Sequence, residues 1–409
     1  MKTFKTAEDF IEVYPFVPYQ FNLLQEVFNG IRTHGASGKH LSEGERSLLS
    51  AFQDAAVQYM NQEIDVLIPF HAFYNPIATF LDHDINIVIQ RAIDNDDLDD
   101  FDVNVLKLLF LIKYLGDKMP PNLENVTTLM VDNIHTDKLA LSKRVQESTD
   151  KLYRQALIQK NGDAYIFLTN AEQDINSEIK NTEINYSDVI KKLSEVVFDK
   201  ILKAENKYTY TKDHIFTFNH KFDNEFYSSQ KGEMTLQIVT PAFVDVDESD
   251  VRLKMITTQE NTVIMRLPES MNYFEEMEEA LKIETYLRRS STKSSIPEVE
   301  TIKGAKNAEI KTRTDRVAEI LSDMISRATV YVNGQKLDIK EKFPKARIDD
   351  SMKVLVENKY GKINMLTPFV PGTGFKTAFF EILKEKPEST LVDITANMEA
   401  YDEMQRHID

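Results

Sequence analysis

The chain has 409 residues, which is enough for two to four domains that each bury their own core. Its formal net charge of −17 opposes sequence-independent binding to nucleic acid, because a surface that attracts phosphate must be positive. The absence of cysteine excludes disulfides, thiolate metal sites and cysteine nucleophiles.

The apolar runs are too short to cross a membrane, and the densest, Val103 to Leu115, contains two lysines. The first residues lead directly into Glu8 and Asp9, without the apolar segment of a signal peptide. We therefore expect a cytoplasmic protein that does not contact membranes.

Residues 1–100 are predicted to be almost wholly helical. Pro15 and Pro18 restrict the backbone ahead of a first helix with one apolar face. That face comprises Phe21, Leu24, Val27, Phe28 and Ile31. A second helix begins where Ser42 and Glu45 have the spacing of a capping box. Its apolar stripe comprises Leu48, Leu49, Phe52, Ala55, Ala56 and Tyr59.

An acidic run at 94–102 marks the next boundary. As a calcium loop it departs from the EF-hand pattern, because Leu98 stands at the fifth position and the sixth lacks glycine. We interpret it as a solvated acidic linker ahead of a helix.

Residues 101–170 are predicted to form a winged helix. A helix from Asp102 to Leu115 is followed by one capped by Asn122 and one capped by Thr136. Two short strands then flank Asn161-Gly162, a pair typical of a type I′ hairpin turn. Three helices and a hairpin are the elements of a winged helix.

The remainder is predicted to be a connecting helix over 171–205, an α/β domain over 206–290 and a mixed α/β part over 291–409. Alternating residues predict strands at 215–218, 235–239, 251–256 and 262–267 in the α/β domain, with a helix at 272–289. A long charged helix over 299–328 and a second hairpin at Asn333-Gly334 follow. Together these elements indicate a multi-domain α+β protein.

No catalytic centre is evident in the sequence. The glycine loops at 35–40 and 372–377 lack the spacing of a phosphate-binding loop, and the histidines have no metal-ligand spacing. We therefore expect no metal site and no cofactor in this chain alone.

Basic residues on the third helix and the hairpin are candidates for DNA contact. They are Lys138, Lys143, Arg144, Lys151, Arg154 and Lys160. Acidic residues interleave with them on the helix, which favours packing or protein contact over DNA recognition. The basic residues of the long helix, among them Lys306 and Arg313, are interpreted as part of a solvated face.

Three segments resemble the large P-loop ATPase of bacterial BREX phage-defence systems, of the BrxC/PglY type. They are Tyr14–Phe21, Ser42–Ser47 and Gly162–Ile175, with a fainter likeness over Arg313–Gly334. Those ATPases are much longer and carry the nucleotide-binding module toward the N-terminus. The resemblance therefore implies an internal or C-terminal portion that lacks the phosphate-binding loop.

The resemblance also implies that residues 1–100 form the helical lid of an ATPase, with Arg46 as a nucleotide sensor. On the residues alone, an exposed arginine or one half of a surface ion pair is the favoured interpretation of Arg46, and the resemblance makes the sensor role as strong. ATP and magnesium are expected only for the intact parent protein.

The function implied is non-catalytic regulation and assembly, which couples an absent ATPase core to protein partners and DNA. The expected partners are other BREX components, such as the DNA methyltransferase and the phosphatase-like protein, and a homo-oligomer is compatible with this role. The alternative is a stand-alone winged-helix DNA-binding regulator. A third interpretation, an enzyme of an unrecognised class, requires a deep polar pocket in residues 208–290.

Overall fold

A computed structural model describes residues 4–34, 44–212, 214–227, 232–243, 249–290 and 296–362, without the side chains of 44–46 and 249. The helices are α1 (Ala7–Val13), α2 (Pro18–Thr33), α3 (Gly44–Tyr59), α4 (Tyr74–Ala78), α5 (His83–Ile93), α6 (Asp100–Ile112), α7 (Leu123–Leu129), α8 (Lys138–Arg154), α9 (Asn170–Lys180), α10 (Tyr186–Glu195), α11 (Ser249–Gln259), α12 (Asn272–Arg289), α13 (Pro297–Arg327) and α14 (Pro344–Lys359). The strands are β1 (Ile158–Asn161), β2 (Ala164–Phe167), β3 (Lys207–Thr211), β4 (His214–Phe222), β5 (Glu225–Phe226), β6 (Met234–Val239), β7 (Thr262–Arg266), β8 (Thr329–Val332) and β9 (Gln335–Leu337).

The described residues form two compact units, and the chain is α+β as expected. Unit 1 comprises the described residues within 1–204 and 269–325, and unit 2 those within 205–268 and 326–362. Each unit is therefore built from two separate stretches of the chain. None of the helices described above is both long enough and apolar enough to cross a membrane.

Helices α4 and α5 of unit 1 pack on α6, and α2 and α3 pack on each other. Helix α2 begins at Pro18, so Pro18 lies within the helix and not ahead of it, and the helix buries Leu24, Val27, Phe28 and Ile31 as expected. The prediction that Phe21 and Leu49 belong to the core was wrong, because Phe21 is 38% exposed and Leu49 is 72% exposed. The Ser42–Glu45 capping pair lies outside the described side chains.

Three helices and a hairpin follow in the predicted order over 101–170. The acidic run ends in a capping box, in which the Asp99 carboxylate accepts from the Asp102 N–H at 2.9 Å and Asp102 accepts from the Asp99 N–H at 3.1 Å. Asn122 caps α7, as predicted. The predicted cap of α8 was wrong: Asp137 accepts from two backbone N–H groups, while the Thr136 hydroxyl donates backwards to the Asn133 carbonyl.

The first Asn-Gly hairpin has a different turn from the predicted type I′. Asn161 pairs with Ala164, so the two loop residues are Gly162 and Asp163, and of these only Gly162 has a positive φ, of 59°. This pattern is typical of a type II′ turn with glycine first. At the second hairpin, Asn333 and Gly334 both have positive φ, as a type I′ turn requires.

The sheet of unit 2 is mixed and lies in the order β3-β4-β6-β7-β8-β9, with the two-residue β5 paired to β4 outside this order. Strands β4, β6 and β7 are parallel to one another, and the other pairs are antiparallel. Val263, Ile264 and Met265 are all fully buried. Because successive side chains point to opposite faces, both faces of the sheet are covered at β7.

The prediction of a strand at 251–256 was wrong, because these residues lie in α11. Parallel neighbours such as β6 and β7 need a crossover connection, and α11 supplies it. Leu253 and Ile256 pack on Ile264 and Tyr331 of the sheet. The alternation that suggested a strand leaves Val251 and Met255 exposed on the helix.

Candidate functional site

The exposed face of α8 carries balanced charge. Lys143, Glu147, Asp150 and Arg154 follow one another at helical spacings of four, three and four residues, and all four are exposed. Lys138 is also exposed, at the first turn of the helix. The positive charges that this face offers to a phosphate are therefore matched by neighbouring carboxylates.

Two of the candidate DNA-contact residues have partners inside unit 1. Lys151 forms an ion pair at 2.9 Å with Asp102, whose side chain is only 2% exposed. Burial raises the pKa of Asp102, but the Lys151 ammonium and the backbone N–H of Asp99 offset this effect, and the pKa lies below its ordinary value. Arg144 lies with its guanidinium 3.9 Å from the centre of the Phe101 ring.

The sixth candidate, Lys160, lies on the hairpin, whose tip is held by α13. The Lys160 carbonyl accepts a hydrogen bond from Arg313 at 3.2 Å, and Asn161 Oδ1 accepts one from Arg316 at 3.0 Å. A Cβ atom on Gly162 would lie 2.8 Å from Cζ of Arg316. The positive φ favours glycine at this position, and a side chain there would also require the Arg316 guanidinium to move.

The same guanidinium groups belong to a charge cluster between α12 and α13. Arg313 and Arg316 both donate to Glu276, at 2.8 and 2.7 Å, and Arg313 also pairs with Glu309 at 2.8 Å. Lys306 pairs with Glu309 at 3.0 Å. We call these five residues, Glu276, Lys306, Glu309, Arg313 and Arg316, the clamp.

The clamp reaches the strand β1 through Gln159. The Gln159 amide nitrogen donates to Glu309 at 2.7 Å, and the Gln159 amide oxygen accepts from the Lys306 ammonium. The side chains of Lys306 and Arg313 are 8% and 3% exposed, so these two cations are buried, while that of Arg316 is 28% exposed. The expectation of a solvated face at these two residues was therefore wrong.

The clamp carries more positive than negative charges. Counted over its five residues, it has three cations and two carboxylates. Burial raises the pKa of Glu309, but Lys306 and Arg313 more than offset burial, and its pKa lies below the ordinary value. Glu309 is therefore ionised at neutral pH, and its charge compensates Lys306 and Arg313, which it contacts.

Helical spacing in the sequence could have revealed the clamp. Ile302, Lys306, Glu309, Arg313 and Val317 recur at intervals of four, three, four and four residues, so they lie on one face of α13. Apolar residues at both ends of this stripe indicate burial of the charges between them. What the spacing does not give is the partner, because Gln159 and Asn161 lie about 150 residues earlier in the chain.

A polar cavity of about 580 Å³ lies in unit 1, lined by residues of α3, α6 and α8 and of the segments 62–71 and 130–133. Its lining includes Tyr59, Gln62, Glu63, Val66, Pro69, His71, Phe101, Asn104, Met130, Asp132, Asn133 and Arg144. Burial, with a smaller effect of Lys107, lowers the pKa of His71 from 6.5 to about 4. His71 therefore presents a neutral imidazole at neutral pH.

Several predicted features lie outside the described residues. The side chain of Arg46 is one, and the glycine loops at 35–40 and 372–377 are others. Within the part of the chain that the structure describes, no group of three or more histidine, aspartate or glutamate side chains could hold a metal ion.

Residues 182–355 match the family model described as the BREX ATP-binding protein BrxC 4th domain with six-stranded beta sheet. Residues 182–355 are therefore similar to this BrxC-type domain. The sheet of unit 2 lies wholly within this stretch, and without the two-residue β5 it has six strands. No solved structure matches the chain.

The match confirms the resemblance to BrxC-type BREX proteins and indicates a role in BREX phage defence. Of the segments that carried the resemblance, only Arg313–Gly334 lies within the matched residues.

Proposed function

We propose that this chain is a non-catalytic regulatory and assembly portion of a BrxC-type BREX protein, in which the helices and hairpin of residues 101–170 serve protein packing. The observation that carries the proposal is the clamp. It ties the hairpin to α12 and α13 through the buried Arg313 and the partly buried Arg316, at the position where a DNA-binding winged helix would present a free wing.

The strength of these contacts supports a structural role for the hairpin. A hydrogen bond from a charged guanidinium to a neutral oxygen, as at Lys160 and Asn161, contributes about 1.5–3 kcal/mol. Freeing the hairpin for a DNA groove would break the contacts of both Arg313 and Arg316. A phosphate contact from Lys160 alone would not offset that loss.

The surface charge of α8 supports the same proposal. Lys143 and Arg154 are accompanied by Glu147 and Asp150 on one exposed face, and the chain as a whole has a net charge of −17. Mixed charges at this spacing suit a specific protein partner better than a polyanion. The proposed partners are the DNA methyltransferase and the phosphatase-like component, with DNA reached through the assembled complex.

The test compares two charge-reversed variants of the full chain on duplex DNA at several salt concentrations, by fluorescence anisotropy. One variant is Lys143→Glu with Arg154→Glu, and the control is Lys340→Glu with Lys342→Glu, an exposed pair in unit 2. We expect equal duplex affinities for the two variants. A loss of tenfold or more for the α8 variant alone, with a salt slope lower by about 2, would instead establish the DNA-binding regulator.

A second experiment tests the assembly role directly. The same α8 variant and its control are used to capture the other purified BREX components. We expect the α8 variant to lose partner capture by at least tenfold while the control retains it. Equal capture by both variants would contradict a protein-contact role for this face.

A further inference from the structure

We propose that the polar cavity of unit 1 is a binding site for a nucleoside, with the base inside and the ribose at the mouth. At about 580 Å³, the cavity lies in the size range of small-molecule sites, which is roughly 300–1,000 Å³. The assignment rests on three features of the lining: a flat platform, unused neutral hydrogen-bonding groups, and the sign of the charges at the mouth.

The platform is the stack of Arg144 on Phe101. Its guanidinium lies 3.9 Å from the ring centre, and both residues line the cavity. Arg144 is exposed, and the described residues form no ion pair with it. A guanidinium plane held in this way is a surface on which a nucleobase stacks.

The neutral groups are His71 and Asn104. Neither the His71 ring nor the Asn104 amide forms a hydrogen bond with any residue that the structure describes, although both are partly buried and line the cavity. Each offers a donor and an acceptor, which is the pattern needed to recognise the edge of a base. Buried Pro69 and Met130 supply apolar surface beside them.

The charges at the mouth favour a nucleoside over a nucleotide. Glu63 and Asp132 line the cavity and are exposed. Carboxylates accept hydrogen bonds from ribose hydroxyls but repel phosphates. With one cation, Arg144, and two carboxylates, the lining charges do not attract a triphosphate.

The experiment titrates the full chain with adenosine, guanosine and ATP by isothermal calorimetry at pH 7.5. Binding variants are Asn104→Leu, which removes the amide at nearly constant volume, and Arg144→Leu, which removes the platform. Lys143→Leu is the matched control, because it is exposed on the same helix and does not line the cavity. Thermal unfolding of each variant verifies its fold.

We expect adenosine or guanosine to bind more tightly than ATP, and each binding variant to raise the Kd at least tenfold, with Lys143→Leu unchanged. Absence of binding by both nucleosides up to their solubility limit would overturn the proposal. So would binding that both cavity variants leave unchanged, because the nucleoside would then lie elsewhere. Tighter binding of ATP than of either nucleoside would overturn the assignment of the mouth to ribose.

Discussion

At Gly162, both the backbone conformation and the neighbouring clamp residue Arg316 disfavour a side chain. Its φ of +59° disfavours any side chain by about 1 kcal/mol, and a Cβ would also lie 2.8 Å from Arg316 Cζ. Gly116 is a matched control, because its φ of +54° is similar and no atom lies within 4 Å of its added Cβ.

We therefore expect Gly162→Ala to lower the free energy of unfolding by about 1 kcal/mol more than Gly116→Ala does, because only the first displaces a guanidinium. Urea unfolding of both variants measures the difference. Equal losses would show that Arg316 adjusts without cost and that the hairpin tip is not held firmly.

His71 gives the stability of unit 1 a dependence on pH. Its folded pKa is lowered from 6.5 to about 4 by burial and by Lys107, so the folded protein disfavours the charged imidazole. Above pH 6.5 the His71 imidazole is neutral in both the folded and the unfolded protein, so it does not lower the free energy of unfolding. Between pH 6.5 and 4 the unfolded chain binds a proton that the folded chain does not, so stability falls as the pH falls.

The expected loss at pH 5 is about 2 kcal/mol, from about 1.4 kcal/mol per pH unit. In His71→Gln this part of the pH dependence should disappear, while the part due to the carboxylates remains. Chemical unfolding at pH 7 and pH 5 for both proteins isolates the difference. An unchanged pH dependence in the variant would mean that His71 titrates normally in the folded state.

Single residues show where local sequence signals were sufficient. The cap at Asn122 follows from one side chain and its nearest backbone, and it was predicted correctly. The turn at Asn161-Gly162 was predicted as a hairpin, but its type depends on the strand register, which sets Gly162 and Asp163 as the loop. The register of the two strands is fixed by their packing on the rest of the unit, and the residues of the turn alone do not specify it.

At the scale of single elements, α11 shows how the environment overrides a pattern. Alternating apolar residues at 251–256 suit a strand, but the parallel pair β6 and β7 needs a helical crossover. As a helix, the same segment still buries Leu253 against the sheet. The helices α12 and α13, in contrast, were predicted correctly because long periodic segments carry a strong signal.

The clamp yields a prediction about the sign of its charge. Glu309→Gln leaves three cations with one carboxylate, and we expect it to cost about 3 kcal/mol. Lys306→Met leaves two cations with two carboxylates, and we expect it to cost about 1 kcal/mol, which is the value of a lost hydrogen bond. Urea unfolding measures both.

The double variant completes this test. Because the two side chains contact each other at 3.0 Å, the losses should not add, and the double variant should be more stable than their sum predicts. A Lys306→Met loss larger than that of Glu309→Gln would contradict the positive excess of the clamp.

At the scale of the whole molecule, the matched stretch 182–355 does not contain everything that its helices pack against. Ile283 and Tyr286 of α12 and Ile302 of α13 pack on Ile175 and Ile179 of α9, which precede it. The order of elements could be predicted from the sequence, but this discontinuous assembly could not, because contacts between distant parts of the chain leave no periodic signal.

We therefore expect residues 182–355, produced alone, to aggregate or to bind a hydrophobic dye, while the full chain does not. Without α9 and β1, the fragment exposes the apolar face of α12 and leaves the clamp cations without Gln159 and the hairpin. Size-exclusion chromatography with dye fluorescence compares the two. A monomeric fragment with no dye binding would contradict this expectation.

The clamp also sets an order of events during synthesis on the ribosome. The hairpin around Asn161 leaves the ribosome long before Arg316, which is 155 residues later in the chain. In between, the first stretch of unit 2 is made, and its parallel strands must wait for β8 and β9. Neither unit can be completed before the other is well advanced, so premature release of the nascent chain leaves both with unpaired polar groups and open sheet edges.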